Sequence, residues 1–420
     1  MGRATKGWPI ADNPISDISR RGLASEELRR HNLAAVLDGL HLGGAMSRSD
    51  LAIQTGLNRS TIRDLLAELG ELGLVVESPG QPSPGPGRPS SMAHVSPSGA
   101  VILAVELEVE SIAVATIGLG GHIFGEAREP NPAGTTSPED VVSRLSGLAG
   151  PLLAQLPLGN RVVGVGVAVA GVVRRSDGFV HVAPNLGWSD VPIAAMIQDE
   201  LGIDLVMVAN EADMGALGEF RRGAARESRH LIFVAGEVGV GIGIVHESAP
   251  MLGATGYAGE AGHTLVNPGG RECRCGSRGC WETEVGEGAL IRRAGLVDGV
   301  SPGPPLELIL RRAEEGDPHT LGALWETGRW LGMGIGSLIN IFNPDLVIVG
   351  GFYEALYDHV AAAVELGAKE VALDAPWDAC SIVKSELAGD SILIGVAELV
   401  LGVVISDPTT RIEDLAAPVS

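Results

Sequence analysis

Short apolar segments typical of β-strands alternate with helical segments between residues 101 and 351, and this alternation limits the fold more than any other feature. The longest uninterrupted apolar run, residues 162–173, has 12 residues. It is too short to cross a bilayer, which needs roughly 18 residues or more, so we read it as one or two buried strands. Other patterns predict strands at 101–117, 205–209 and 346–349, a hairpin at 231–245, and helices at 212–222 and 325–342. Alternating strands and helices favour an α/β architecture.

The net charge of −22 is distributed unevenly along the chain. Residues 1–90 hold 10 Lys and Arg against 10 Asp and Glu, whereas residues 91–420 hold 20 against 42. The acidic excess therefore belongs to the second part, and the first part is free to approach phosphates. The N-terminus has no apolar signal core, so we expect a cytoplasmic protein with no membrane partner.

The first part predicts a winged helix-turn-helix over residues 23–96, after a flexible tail at 1–22. Helical spacing covers residues 25–40, a second helix runs from the N-cap Ser47 to residue 55, and a third follows the turn Gly56-Leu57-Asn58. Short β-like runs at 74–76 and 92–95 flank a segment, 78–90, that is rich in proline and glycine. We interpret this segment as the tip of a wing.

The third helix carries the candidate DNA-reading residues. A recognition helix presents polar side chains at its N-terminal end, where it enters the major groove. Those residues here are Arg59, Ser60, Thr61 and Arg63, and Arg88 at the wing tip suits a narrow minor groove. The alternative is an ordinary solvated helix face followed by a linker. Because one such helix reads only a few base pairs, we expect a homodimer or homotetramer on double-stranded operator DNA.

Four potential metal ligands lie close together in the second part. They are His263, Cys273, Cys275 and Cys280. One imidazole and three thiolates match a closed, tetrahedral zinc site, so we expect a structural Zn²⁺. The alternative is a set of reduced structural cysteines with a core histidine. Cys380 stands alone, and we expect it to be a buried apolar residue.

Two segments carry a family resemblance. The segment Tyr257-Ala-Gly-Glu-Ala-Gly-His263-Thr and the cysteine cluster that ends in Glu282 resemble the two signatures of the ROK family, named for repressors, open reading frames and kinases. The N-terminal unit makes the chain similar to the repressor branch, such as the glucose, N-acetylglucosamine and xylose repressors. The resemblance implies a two-lobed, actin-like or ribonuclease-H-like fold over residues 97–405, with the zinc loop at 263–282 and a C-terminal tail at 406–420.

The resemblance also implies a sugar site between the lobes. In kinases of the family an Asn-Asp pair, two residues of the first signature, the glutamate after the cysteines and a loop asparagine line this site. The matching residues here are Asn185, Asn210, Glu211, Glu260, His263 and Glu282. Carboxylates accept pairs of hydrogen bonds from vicinal hydroxyls, so we expect a sugar or sugar phosphate as effector.

The chain departs from the kinases of the family at the phosphate site. Where those kinases carry an Asp-x-Gly-Gly-Thr loop, this chain has Glu106, Glu108 and Glu110, which we expect to alternate along one face of a strand. Glu237-Val238 replaces the second phosphate segment, and Glu211 replaces the catalytic aspartate. Acids repel a triphosphate, so we expect no catalytic residues.

The sequence is compatible with three functions. The first is a DNA-binding regulator of carbohydrate genes, most often a repressor, whose operator affinity depends on a sugar. The second is an active ATP-dependent sugar kinase with an added DNA-binding domain. The third is a regulator controlled by a partner protein, with a vestigial sugar pocket.

Overall fold

The computed structural model describes residues 25–79, 91–131, 137–157, 162–296 and 305–409. The predicted N-terminal tail, the wing tip with Arg88 and the last residues of the C-terminal tail lie outside these ranges.

The N-terminal unit, which we define as residues 25–79 and 91–95, contains three helices and three short strands. Its elements are α1 (Ser25–Gly43), β1 (Met46–Ser47), α2 (Arg48–Thr55), α3 (Arg59–Glu71), β2 (Val75–Ser78) and β3 (Met92–Val95). Ser47 forms a capping box with Asp50, and Gly56 ends α2 in the left-handed conformation. Asn58 then caps α3. These caps confirm the second and third predicted helices, while the first helix continues to Gly43.

A small antiparallel sheet closes the N-terminal unit. Its strand order is β1-β3-β2, and Val75 pairs with Val95. The helices bury one apolar face each, with Leu33, Leu51 and Ile62 fully inaccessible. The sheet and helices therefore share one small core, which extends without a break into the rest of the protein.

The first lobe is built on a five-stranded sheet. Its elements are β4 (Val101–Leu107), β5 (Ser111–Gly118), β6 (His122–Pro130), α4 (Pro138–Ala154), β7 (Val162–Val169), β8 (Val172–Arg174), β9 (Phe179–Ala183), β10 (Trp188–Val191), α5 (Ile193–Leu201) and β11 (Val206–Asn210). The order is β11-β7-β4-β5-β6, with β8 to β10 in a separate small sheet. The predicted segment at 101–117 is two strands, 162–173 is two strands, and β6 was not predicted because its pattern is only half apolar.

The second lobe repeats the same strand order. Its elements, preceded by α6 (Glu211–Arg221), are β12 (Leu231–Gly236), β13 (Val240–His246), β14 (Ala249–Pro250), α7 (Glu282–Val285), α8 (Glu287–Arg293), α9 (Pro305–Glu314), α10 (Pro318–Phe342), β15 (Leu346–Gly351), α11 (Tyr353–Val371), α12 (Asp374–Asp378), β16 (Ser381–Lys384) and α13 (Ser391–Ser406). Its order is β14-β13-β12-β15-β16. In both sheets three antiparallel strands are followed by two parallel ones. The two-lobed mixed α/β architecture is therefore present.

Two helices, α6 and α13, fill the space between the sheets. The two helices cross closely because each carries a glycine at the contact. A Cβ at Gly395 would lie 1.7 Å from the carbonyl oxygen of Met214, and a Cβ at Gly218 would lie 2.2 Å from the carbonyl oxygen of Ser391. Helix α13 also packs on β4 and β7, and α6 packs on β12 and β13. Movement of either lobe therefore acts on this helix pair.

Helix α13 belongs to a segment, Ala388–Ser406, that is long and apolar enough to cross a membrane by length and composition. It is the one such helix in the described part of the chain, and 67% of it is buried. Its burial between the two sheets is what a core helix of a folded protein requires.

A buried polar network joins the N-terminal unit to this helix pair. Glu398, 3% exposed on the otherwise apolar α13, accepts hydrogen bonds from Arg221 (Nε, 3.0 Å) and from His41 of α1 (Nε2, 2.9 Å). Arg221 also donates to Asp38 on α1. The His41 Nδ1 atom accepts from the Gly120 N–H at 2.9 Å, and Arg222 donates to Glu398 from its Nε atom at 2.5 Å. The network therefore connects α1, α6, α13 and the first lobe.

Candidate functional site: a cleft between the lobes beside a cysteine and histidine cluster

The first side of the cleft is the start of α6. Asn210 is the N-cap of this helix: its side-chain oxygen accepts from the Ala212 N–H at 2.8 Å, and its amide donates to the Gly171 carbonyl at 3.1 Å. This predicted sugar-binding residue therefore also fixes α6 against the start of β8.

Glu211 follows at the first position of α6 and is buried, with 8% of its surface exposed. Burial, reinforced by the nearby carboxylates of Glu106 and Glu108, raises its pKa to about 8. At neutral pH its carboxyl group is therefore largely protonated, and it can donate as well as accept a hydrogen bond.

The second side of the cleft is the loop between β14 and α7. It places the Glu260 carboxylate 3.7 Å from His263 Nε2, and the Glu282 carboxylate 3.5 Å from His263 Nδ1. A Cβ at Gly239, just before β13, would lie 2.5 Å from the Glu282 carboxylate, so the backbone at Gly239 packs directly against this side chain. The loop thus brings three of the predicted sugar-binding residues together.

Two contacts hold the sides of the cleft against each other. Arg274 of the loop donates a hydrogen bond to the side-chain oxygen of Asn185, which follows β9. Tyr257 stacks edge-on against His181 with ring centroids 5.9 Å apart. These contacts bring Asn185 and the β8–β9 hairpin next to the loop that carries Glu260, His263 and Glu282, although Asn185 and Glu282 are 97 positions apart (185 to 282).

The predicted metal ligands converge in the same loop. The ligand atoms of His263, Cys273, Cys275 and Cys280 all lie within 4.8 Å of one another. The Cys275 and Cys280 sulfurs are 3.7 Å apart, and the Cys273 sulfur is 3.6 Å from His263 Nδ1. Two thiolates on one tetrahedral zinc lie about 3.8 Å apart, since Zn–S is about 2.3 Å. The donor set and its spacing fit a metal ion.

Glycines allow this loop to close on itself. Gly276 and Gly279 adopt φ angles of 91° and 79°, and a Cβ at Gly279 would lie 1.7 Å from the Asn267 carbonyl oxygen. Isolated β-bridges join Leu265 to Cys280 and Glu272 to Arg278. The loop is therefore shaped by its own backbone.

Cys380 lies far along the chain and is half-buried, not fully buried as predicted, because it packs at the margin of the second-lobe core.

A separate cavity of about 250 Å³ occupies the position of the predicted phosphate site. Five glutamates line it: Glu106, Glu108, Glu110, Glu237 and Glu287. The prediction that the first three alternate along one strand is wrong. Strand β4 ends at Leu107, so only Glu106 is on the strand, and the other two are in the β4–β5 turn.

The carboxylates of this cavity perturb one another. Burial first, then neighbouring carboxylates, raise the pKa of Glu106 and of Glu237 well above the usual value. Arg128 lies 2.8 Å from Glu108 and 3.4 Å from Glu106 and offsets part of this repulsion. The cavity has a polar, acidic end and an apolar end formed by Phe233, Phe352 and other side chains.

The candidate DNA-contacting residues stand at the free end of α3. Arg59, Ser60 and Arg63 are exposed and Thr61 is half-buried. The Ser60 and Thr61 hydroxyls both donate to the Asn58 side chain, at 2.6 and 3.1 Å, so they also stabilise the start of the helix.

Several residues around the site were not predicted. Asp213, two positions after Glu211, is buried at 6% exposure on the cleft side of α6. The network residues His41, Arg221 and Glu398 were also missed. A single acid in the apolar sequence of α13 was a usable signal, because a charge in such a helix needs buried partners.

The chain belongs to the ROK family: the sequence model of this family matches residues 102–403. It is 31% identical to a putative xylose repressor from Caldicellulosiruptor sp. (strain Rt8B.4), over 73% of this chain and 79% of that protein. It is 28% identical to a glucokinase from Streptomyces coelicolor, over 71% of this chain and 96% of that enzyme.

A solved structure extends the likeness to the N-terminal unit. The crystal structure of a ROK family transcriptional regulator, a homologue of the E. coli Mlc protein, superposes with a TM-score of 0.76 and 23% identity. The likeness covers 92% of this chain and all of that one. The glucokinase match, in contrast, covers only 71% of this chain.

The raised pKa of Glu211 gives a prediction for stability. The unfolded chain releases this proton near pH 4.5 and the folded chain near pH 8, so stability falls as pH rises between these values. Glu211→Gln removes this titration. We expect its melting temperature, relative to wild type, to rise between pH 5 and pH 8 by roughly 2 °C or more and then to level off. Thermal unfolding across this pH range measures the effect.

The exposed Glu200→Gln on α5 is the matched control and should show a flat difference across the same range. A Glu211→Gln difference that is equally flat would contradict the assignment of a proton to this carboxyl.

Proposed function

We propose that this protein is a cytoplasmic, DNA-binding transcriptional regulator of carbohydrate genes, most often a repressor, whose affinity for its operator depends on a sugar bound in the cleft. The observation that carries the proposal is the path of α6. This helix begins at Asn210 and Glu211 in the cleft and ends at Arg221, in buried contact with Asp38 of the N-terminal unit.

The N-terminal unit has the parts of a winged helix-turn-helix. Helices α2 and α3 are joined by the tight turn at Gly56, and the hairpin of β2 and β3 follows α3. We infer that α3 is the recognition helix, since its apolar face is buried and its N-terminal polar residues are exposed. Arg88 is assigned to the wing on sequence alone.

The polar network supplies a route from the effector to the DNA. Burial alone would raise the pKa of Glu398, but His41, Arg222 and Arg221 outweigh it and hold the pKa well below its usual value. An ionised, fully buried carboxylate fixes its partners strongly, because breaking one contact leaves a charge without compensation. A shift of α6 on sugar binding would therefore move α1 with it, and with it the spacing of two α3 helices in a dimer.

The second hypothesis, an active sugar kinase, receives less support. The cavity that corresponds to the phosphate site is lined by five glutamates, and Arg128 is held by two of them. Phosphoryl transfer needs cations that neutralise the transferring group. We infer that the phosphate cradle has been lost.

This inference predicts that ATP is not consumed. We expect no sugar-dependent ADP formation with xylose, glucose or N-acetylglucosamine in a coupled spectrophotometric assay, because the cavity repels triphosphate. Turnover of about 1 per second or faster, which is ordinary for an enzyme, would favour the kinase hypothesis instead.

We also propose that His263, Cys273, Cys275 and Cys280 hold one structural Zn²⁺ that shapes the cleft. The ion would fix His263 and the loop that carries Glu260 and Glu282, so a metal distant from any reaction would still control sugar binding. All four coordination positions would be filled by protein, so the ion would supply no hydrolytic chemistry.

Elemental analysis of freshly purified protein should therefore return about one zinc per chain. Cys275→Ser should lose the metal, melt at a lower temperature and lose its response to sugar, because the loop loses its anchor. Cys380→Ser, which changes a cysteine outside the cluster, should keep the metal and the response. Wild-type protein that contains no zinc would contradict the proposal.

The DNA proposal predicts which arginines contribute to specificity. An operator selected from random duplexes should be roughly palindromic, with half-sites about 10 base pairs or a multiple apart. Arg59→Ala and Arg63→Ala should each weaken binding to it by about 1–3 kcal/mol in fluorescence anisotropy. Arg226→Ala, an exposed arginine of the second part paired with Glu386, is the control and should bind normally. If Arg59→Ala and Arg63→Ala both bound the operator as well as this control does, another surface would have to read the DNA.

The coupling route predicts a variant that binds sugar without responding to it. Asp38→Asn weakens the link between α1 and Arg221, so sugar should still raise the melting temperature while its effect on operator affinity, typically about 5- to 150-fold, becomes small. Arg30→Gln removes an exposed ion pair between α1 and Asp407 and should leave the response intact. A normal response in Asp38→Asn would exclude this route.

A further inference from the structure

Near the predicted sugar-binding residues lies Arg175, a half-buried arginine whose side chain has one buried, unused donor. Arg175 lies directly after β8, and its Nη1 atom is inaccessible to solvent and has no hydrogen-bond partner among the described residues. A buried guanidinium N–H without an acceptor is unfavourable, by about 1–3 kcal/mol, unless a ligand completes it. Such an atom beside a cleft points to a binding partner.

Asp213 is the acid that faces this arginine. It is 6% exposed on α6, and its carboxylate accepts no hydrogen bond from the described residues. Burial is the main reason that its pKa is raised to about 7, with Arg175 opposing the shift and Glu260 adding to it. Arg175, Asp213 and Glu260 therefore lie close enough to interact electrostatically, and the Arg175 Nη1 donor and the Asp213 carboxylate have no hydrogen-bond partner among the described residues.

The surrounding contacts place these groups near the sugar cleft. The side-chain amide of Asn210 donates to the carbonyl of Gly171 at the start of the β8–β9 hairpin. Tyr257, in the loop between β14 and α7, packs on His181 of the same hairpin. Arg175 is the first residue of the turn of that hairpin, and a Cβ at Gly178 of the same turn would lie 2.8 Å from Val208 Cγ2, two residues before Asn210. A Cβ at Gly256, in the loop that carries Glu260, would lie 3.8 Å from the carbonyl oxygen of Val173 in β8, so the hairpin packs near both the strand that leads into α6 and this loop.

We propose that Arg175 and Asp213 form an additional subsite of the cleft that binds hydroxyl groups of an uncharged sugar, so that the effector is a free sugar and not a sugar phosphate. This inference rests on the proposed function and specifies its ligand class. A hydroxyl both accepts and donates, so one sugar hydroxyl can accept from Arg175 and donate to Asp213 or Glu260. A phosphate has only acceptor oxygens in its ionised form and carries a charge of about −1.5 to −2 at pH 7.

The charges of the whole cleft favour the same ligand. Besides Glu211, which is largely protonated at neutral pH, the acids Asp213, Glu260 and Glu282 lie at the site, while Arg274 is already bonded to Asn185. The neighbouring cavity is lined by five more glutamates, so a phosphate that extended out of the cleft in that direction would meet further carboxyl groups. A neutral sugar avoids both conflicts.

The test is a binding panel on the full-length protein. Calorimetric titration would use D-xylose, D-glucose, N-acetyl-D-glucosamine and the 6-phosphates of the last two. We expect one free sugar to bind, and each 6-phosphate to bind at least 100-fold more weakly than that sugar. Arg175→Gln and Asp213→Asn should each weaken the free sugar at least 10-fold, through loss of charge-assisted hydrogen bonds.

Arg174→Gln is the matched control, since this neighbouring arginine is 43% exposed and is paired with Asp177. It should bind the sugar as wild type does. Monodeoxy forms of the sugar separate contact from structural damage: Arg175→Gln should lose the preference for the parent over one deoxy form and keep the preference over the others. If Arg175→Gln does not fold, Arg175→Lys and the near-isosteric Asp213→Asn carry the same comparison.

The outcomes separate this inference from the proposed function. A 6-phosphate that binds more tightly than every free sugar and alters operator affinity overturns the inference and supports the proposed function. A free sugar bound equally by the Arg174 and Arg175 variants, with unchanged deoxy preferences, also overturns the inference alone. Absence of binding by every sugar in the panel, together with operator affinity that no sugar changes, overturns both.

Discussion

The structure depends on one buried charge, the carboxylate of Glu398. It lies in the middle of an apolar helix between two sheets, where an unpaired charge would cost several kcal/mol, so the surrounding fold must supply partners. Those partners come from two elements: His41 from α1, and Arg221 and Arg222 from the end of α6. Satisfying one carboxylate therefore fixes the N-terminal unit, the interlobe helix pair and the first lobe relative to one another.

The cleft and the neighbouring cavity also contain acidic side chains whose charges are not fully balanced by cations. Burial and neighbouring carboxylates raise the pKa values of Glu211, Asp213, Glu106 and Glu237, so part of this cluster holds protons. Such a surface is unsuited to triphosphate and well suited to hydroxyl groups, which can donate and accept. The loss of kinase chemistry that we propose would therefore arise from electrostatics and not from the architecture, since the two sheets keep one strand order.

Local patterns predicted much of this molecule. The caps at Ser47 and Asn58 fixed α2 and α3, and the spacing of His263 and the three cysteines predicted a group of ligands that does converge. The resemblance supplied the sugar-binding positions and the two-lobed fold. Strand β6 was missed because one of its faces is polar, and the alternation of Glu106, Glu108 and Glu110 was wrong because β4 ends between the first two of them.

By itself, the sequence determined most of the helices and strands, the candidate metal ligands and the confinement of the acidic excess to the second part, because each of these depends on spacing along the chain or on composition. Only the tertiary structure decided which distant groups meet. His41 and Glu398 are 357 positions apart, and Arg175 and Asp213, which influence each other electrostatically, belong to a hairpin turn and to a helix that are distant in sequence. Such contacts depend on how the helices and sheets pack, and burial then sets the protonation of the groups involved, so neither could be read from neighbouring residues in the sequence.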